Sequence, residues 1–127
     1  MGFAFTFHSL EDMHQLKKLI VFMAGQPLSY PSYDLWIEKA EDELLKGEKR
    51  AYLAWSNRTL VGDLVYQTHR LCPSFLELKN LRIHPSMRDR TFASFLLRQL
   101  EVEHTRMYDA IICDARHDQK ETIQFMI

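Results

Sequence analysis

"FLELKNLRIHPSMRDRTFASFLLRQL", from Phe75 to Leu100, is the stretch on which the fold turns. Its first nine residues have the composition of a strand, yet their apolar side chains change phase. Leu76 and Leu78 stand at even positions, whereas Leu81 and Ile83 stand at odd ones. Successive residues of a strand face opposite ways, so this change either moves the second pair to the other face or calls for an inserted residue. One extra residue around Lys79 and Asn80, a β-bulge, restores the register. An edge strand with imperfect patterning is the alternative, and the pattern leaves both open. A bulge would bend the strand away from a neighbour and leave backbone groups in need of another partner.

Past Pro85 the chain carries Arg88 and Arg90 and then becomes a helix, with Phe92, Phe95, Leu96 and Leu100 as its expected apolar stripe. Arginines on a loop that opens directly into a helix suit a phosphate, because the first N–H groups of a helix lack intrahelical partners and sit at the positive end of its dipole. Two solvated arginines are the plain alternative.

Working outward, "FAFTF" (Phe3 to Phe7) alternates and reads as a first strand. Ser9, with Asp12 three residues later, marks a helix start. Leu10, Met13, Leu16, Leu19, Ile20 and Met23 follow at helical spacing until Gly25 and Pro27 end the run. Ser32 is the expected N-cap of a second helix, whose stripe is Trp36, Ile37, Ala40 and Leu44 and whose stop is Gly47. Ala51 to Trp55 reads as a strand, Ser56 to Thr59 as its turn, and Leu60 to His69 as its antiparallel partner. Beyond the arginine loop and its helix, Tyr108 to Ala115 reads as a short buried strand, and a last helical pattern starts at Gln119. The order β-α-α-β-β-β-α-β-α predicts an α/β fold with a mixed sheet and helices on both faces.

The chain has 127 residues, the size of a single domain, and is 46% hydrophobic and 26% charged. A net charge of −1, from 16 basic and 17 acidic side chains, gives no general attraction to nucleic acid or an anionic membrane. The apolar run from Leu19 to Ala24 is too short to span a bilayer. Cys72 and Cys113 are far apart, which fits a reducing, cytoplasmic setting. The six histidines form no ligand-like cluster, so no metal is expected.

The element order, the phase-shifted strand and the arginine loop together resemble the GNAT acyltransferases, which move an acyl group from a coenzyme A thioester, usually to an amine. The motif of that family is Gln/Arg-x-x-Gly-x-Gly/Ala, and here Arg88-Asp89-Arg90-Thr91-Phe92-Ala93 stands in its place. "LRIHP" is similar to the lead-in of the motif and "LVGDLVYQ" to the family's third strand. The resemblance covers nearly the whole chain and implies acetyl-CoA or coenzyme A as cosubstrate. It implies a pyrophosphate held by Arg88, Asp89, Arg90, Thr91, Phe92, Ala93 and Ser94, through backbone N–H groups and the arginine side chains. It also implies that the backbone of Leu81 and Ile83 pairs with the pantetheine arm as an added strand would.

The departures bear on activity. Thr91 stands where the family prefers glycine. In the last helix the family often has Asn-x-x-Ala-x-x-x-Tyr, where this chain has Gln119, Thr122 and Met126, and Met126 cannot protonate a leaving thiolate. The family's final two strands have no counterpart, which implies a C-terminally truncated domain or a homodimer completed through the open sheet edge.

Amine acylation needs a base, and Glu77 is the candidate, on the phase-shifted strand eleven residues before Arg88. It faces either a cleft or solvent. Asp34, Glu38, Glu41, Asp42 and Glu43 on the second helix either attract a cationic amine or form a solvated face. Tyr30, Tyr33 and Trp36 lie beside the expected acceptor cleft. The expected function is therefore N-acyl transfer to an amine of a small molecule or a protein. A non-catalytic acyl-CoA-binding or protein-interaction module on the same fold is the alternative.

Overall fold

A computed structural model describes residues 6–25, 32–84 and 92–113. Along the chain lie β1 (Thr6–Ser9), α1 (Met13–Ala24), α2 (Tyr33–Lys46), β2 (Arg50–Ser56), β3 (Thr59–Thr68), β4 (Phe75–Ile83), α3 (Phe92–His104) and β5 (Ala110–Cys113). The sheet has the order β1-β2-β3-β4-β5, antiparallel up to β4 and parallel between β4 and β5. The chain between those two strands carries α3, as a parallel crossover requires. The expected last helix, with Gln119, Thr122 and Met126, lies outside the described residues.

The phase change in β4 is a bulge. Val65 pairs with Asn80 and Tyr66 pairs with Leu78, so Lys79 has no residue opposite it. Because the bulge absorbs one position, Leu76, Leu78 and Leu81 share one face with Leu64 and Tyr66 despite their mixed parity. A second irregularity, which the sequence reading did not expect, lies between β2 and β3. Ala54 pairs with Gly62 and Trp55 with Leu60, which leaves Val61 over.

On one face, Leu96, Leu97 and Leu100 of α3 pack against Tyr52, Leu64, Tyr66, Leu76, Leu78 and Leu81. On the other, Leu16, Leu19 and Met23 of α1 and Ile37, Ala40 and Leu44 of α2 cover Ala51, Leu53, Trp55 and Val65. Each such side chain contributes about 1.5–3 kcal/mol by leaving water. Layers on both sides follow from a sheet whose inner strands are apolar on both faces, and β3 is buried from Leu60 to Gln67.

Several details differ from the sequence reading. Strand β1 runs on to Ser9, which pairs with Tyr52, so Ser9 is a strand residue and not a helix cap. Asp12 caps α1 instead, its Oδ1 accepting from the Gln15 N–H at 2.8 Å. Ser32 does precede α2, but with φ 57° and no side-chain capping bond. Gly47 ends α2 at φ 79°, a left-handed conformation that glycine adopts without strain. Phe95 is 53% exposed, although its ring stacks on Phe7, and Leu97 takes the inward position expected for it. The inward line of α3 is 96, 97, 100 and 104, and position 95 is turned about 100° from 96. Tyr108 lies just outside β5, where its hydroxyl meets Thr68 Oγ1 at 2.8 Å.

Candidate active site

The bulge sets the site. Strand β5 pairs with β4 from Phe75↔Ala110 to Leu78↔Cys113, and among the described residues the pairing stops there, one residue before Lys79. From Asn80 onward β4 keeps its partner β3 but has no β5 residue beside it among those described. His84 N–H donates to Val61 O at 2.7 Å, so the main chain at position 84 points to β3. Alternation along the ladder turns position 82 the same way and positions 81 and 83 away from β3. Consistent with that, Leu81 O accepts from Arg82 Nη1 at 2.9 Å, a donor outside the ladder. Helix α3 begins at Phe92, so Ala93 and Ser94 occupy its first turn, with Ser94 exposed. Arg88, Asp89, Arg90 and Thr91 lie outside the described residues, as does the side chain of Phe92.

Glu77 lies on the α1/α2 face of the sheet, opposite Gln67 and two residues before the bulge residue. Its side chain is 18% exposed, so it does not stand free in solvent. Gln67 Nε2 donates to Oε1 at 3.4 Å, and Lys79 Nζ lies 3.4 Å from Oε2. Both belong with Glu77 to the wall of a concavity of about 510 Å³ between α2 and the sheet, to which Trp36 also contributes. Trp36 is half-buried and stacks on Tyr33 at 5.9 Å.

The same concavity corrects one expectation. Of the acidic residues expected on one face of α2, Glu43 is buried, whereas Asp34, Glu38 and Asp42 are exposed and Glu41 is half-buried. Glu43 Oε1 meets Lys49 Nζ at 2.9 Å, and Oε2 accepts from Arg70 Nη2 at 3.0 Å. Bonds to the Lys49 cation, with further attraction from Lys39 and Arg70, outweigh the burial that works against them and hold the Glu43 carboxyl below its ordinary range. Position 43 lies next to the inward Leu44, where the α2–β2 turn and the β3–β4 turn bring it two cations.

A second polar group went unrecognised in the sequence. Asp63 is fully buried, and its Oδ1 accepts from Asn80 Nδ2 at 2.7 Å. Burial pushes its carboxyl up to about 7, against the opposing pull of the Asn80 hydrogen bond and the Arg82 charge. Tyr33 joins this group: its hydroxyl donates to Met23 O at 3.0 Å, and burial raises its pKa while Arg82 opposes the rise. The bulge is what brings Asn80 to the face that carries Asp63. The available signal was an aspartate inside the apolar run "LVGDLVYQ". Tyr30 lies outside the described residues.

Neither a family model nor a curated protein matches the chain. Solved structures do. The aminoglycoside N-acetyltransferase AAC(6')-Iy, solved in complex with CoA, superposes with a TM-score of 0.76 at 14% identity, over 98% of this chain and 85% of that one. The ribosomal-protein-alanine N-acetyltransferase of Brucella melitensis biovar Abortus 2308 gives 0.71 at 15% identity, over 95% and 86%. A GCN5-related N-acetyltransferase of Ralstonia eutropha JMP134 gives 0.69 at 15% identity, over 97% and 91%. With a mixed five-stranded sheet, a bulged fourth strand and helices on both faces, the chain has the fold of the GNAT acetyltransferases.

Proposed function

We propose that the chain is an acyl-CoA-dependent N-acyltransferase, with acetyl-CoA as donor and an amine of a small molecule or a protein as acceptor. The observation that carries this is the Lys79 bulge in β4, beyond which the main chain of Leu81 and Ile83 faces away from β3, towards a side where no β5 residue stands among those described. A pantetheine arm carries amides at the spacing of an extended chain and can add there as a strand. Its N–H would take over the Leu81 carbonyl that Arg82 holds in the free protein. The pyrophosphate falls to Arg88, Asp89, Arg90, Thr91, Phe92, Ala93 and Ser94, at the start of α3.

The chemistry is direct transfer. The amine nitrogen attacks the thioester carbonyl, the new C–N bond forms, and the C–S bond breaks with its electron pair leaving on sulfur. Glu77 accepts the proton that the amine loses, which requires only its carboxylate and a positioned donor. Neither Cys72 nor Cys113 takes part, because no covalent enzyme intermediate is formed.

Deleting Lys79 tests the reading. The deletion puts Leu78 directly before Asn80 and regularises their pairing with Tyr66 and Val65, so it is compatible with the β3–β4 register. It should close the gap beside β5. Calorimetry should show acetyl-CoA binding to the parent and at least roughly tenfold weaker binding to the deletion variant, the equivalent of one lost hydrogen bond of ordinary strength. Equal affinity would rule out the gap as the arm's path.

A further inference from the structure

We propose, building on that function, that the acceptor is an amine that also carries an anionic group, a carboxylate or a phosphate, bound by Arg70 and Lys39 in the concavity beside Glu77. The wall carries Lys39, Lys49, Arg70 and Lys79 against two carboxylates, Glu43 and Glu77. These contacts are unevenly spent. Glu43 is one charge and holds two cations, Lys49 at 2.9 Å and Arg70 at 3.0 Å. Lys49 is buried with Glu43 and is consumed by it, its side chain only 4% exposed. Arg70 is different: its side chain is 65% exposed, and it meets Glu43 through Nη2. Four further guanidinium N–H groups remain in a planar fork suited to a carboxylate or a phosphate.

Lys39 adds a second cation, close enough to lower the Glu43 pKa while itself exposed. His69 contributes a ring donor. Its Nδ1 accepts from the N–H groups of Leu71 at 3.2 Å and Cys72 at 3.0 Å, so in the neutral ring the proton sits on Nε2. Lys79 and Glu77 balance one another at 3.4 Å. What remains is a positive rim facing a single candidate base. A polycationic acceptor is repelled from that rim. An amine with an anion a few bonds away is held by the anion, and its amino group is left towards Glu77.

The test uses the whole chain with acetyl-CoA and three acceptors that sample the amine-to-anion distance: glycine, β-alanine and γ-aminobutyrate, each beside its amide, with kanamycin as the polycation. Free CoA release gives kcat and KM. At least one acid should exceed its amide in kcat/KM by roughly tenfold or more, the range of a charge-assisted contact. The amide has the less basic amine, so intrinsic reactivity alone would favour the amide. Arg70→Gln with Lys39→Gln should shrink that preference to under about threefold through KM, with acetyl-CoA affinity as the control. Acids no better than their amides, a preference for kanamycin, or a preference indifferent to the two substitutions would each overturn the proposal. Calorimetry of γ-aminobutyrate on the CoA-saturated and CoA-free protein separates this from the wider reading. Failure of acetyl-CoA to bind defeats the acyltransferase reading, while the anion site then stands or falls on γ-aminobutyrate binding and its loss in the double variant.

Discussion

Replacing Asp63 by Asn should stabilise the protein, and more so as pH rises. Asp63 is fully buried with one oxygen on Asn80, and its Oδ2 has no hydrogen-bond partner among the described residues. Its carboxyl lies at about 7 against an ordinary 3.8, mainly because burial penalises the charged form. The folded protein therefore holds this proton over a range in which the unfolded chain has released it. Between those values the folded state binds more protons, so this group lowers stability as pH rises through the window. Above about 7 both states are ionised and the cost levels off. From 3.8 to about 7 it amounts to at most roughly 4 kcal/mol, a large share of an ordinary domain's stability. Asparagine has the shape of the protonated acid, keeps the bond from Asn80 to Oδ1, and does not titrate. Urea unfolding of both proteins at pH 4.5, 6 and 7.5 gives the difference directly. It should be small at pH 4.5, about 3 kcal/mol in favour of Asp63→Asn at pH 6, and about 4 kcal/mol at pH 7.5. A difference that does not change with pH would refute the reasoning, because it would mean Asp63 is ionised in the folded protein throughout.

Four other outcomes are expected. Glu77→Gln should lower turnover at neutral pH by at least roughly tenfold with acetyl-CoA affinity little changed, and recover at high pH, where amines deprotonate unaided; superimposed pH–rate profiles would remove Glu77 as base. Arg88→Ala should weaken acetyl-CoA binding by about 1.5–3 kcal/mol in calorimetry if its side chain meets the pyrophosphate, and unchanged affinity would leave only the backbone in that role. Asp12→Ala should cost about 1 kcal/mol of stability in urea unfolding, whereas Ser9→Ala should cost almost nothing, the reverse of what the Ser-x-x-Asp spacing suggests. Leu76→Ala, which empties a fully buried position between β3 and α3, should cost about 2–5 kcal/mol by the same assay.

The sequence alone determined the order of the described elements and the place where β4 changes phase. A bulge and an imperfectly patterned edge strand both fitted the change of phase between Leu78 and Leu81, and the pairing with β3 chose the bulge; the phase change itself is local, so it is legible without coordinates. The same holds for Gly25 and Gly47 as helix stops and for the inward positions Leu16, Leu19 and Met23 of α1 and Ile37, Ala40 and Leu44 of α2, although Met13 at the same spacing is exposed, because caps and apolar periodicity act within a few residues of themselves. Helix α3 was legible in its position but not in its inward face, since Phe95 is as apolar as Leu97 and only the sheet beneath decides which one turns in. Glu77 shows the limit most clearly. Strand alternation put it opposite to Leu76 and Leu78, yet whether that side was water or a wall depended on α2, more than thirty residues earlier in the chain. Glu43 was open between a solvated face and one that attracts an amine for the same reason, and Asp63 looked like one polar residue in an apolar strand. Period and propensity tell a side chain which way to point. What it meets there, and hence its charge, its partners and its chemistry, comes from segments distant in sequence, and only the packed tertiary structure decides it.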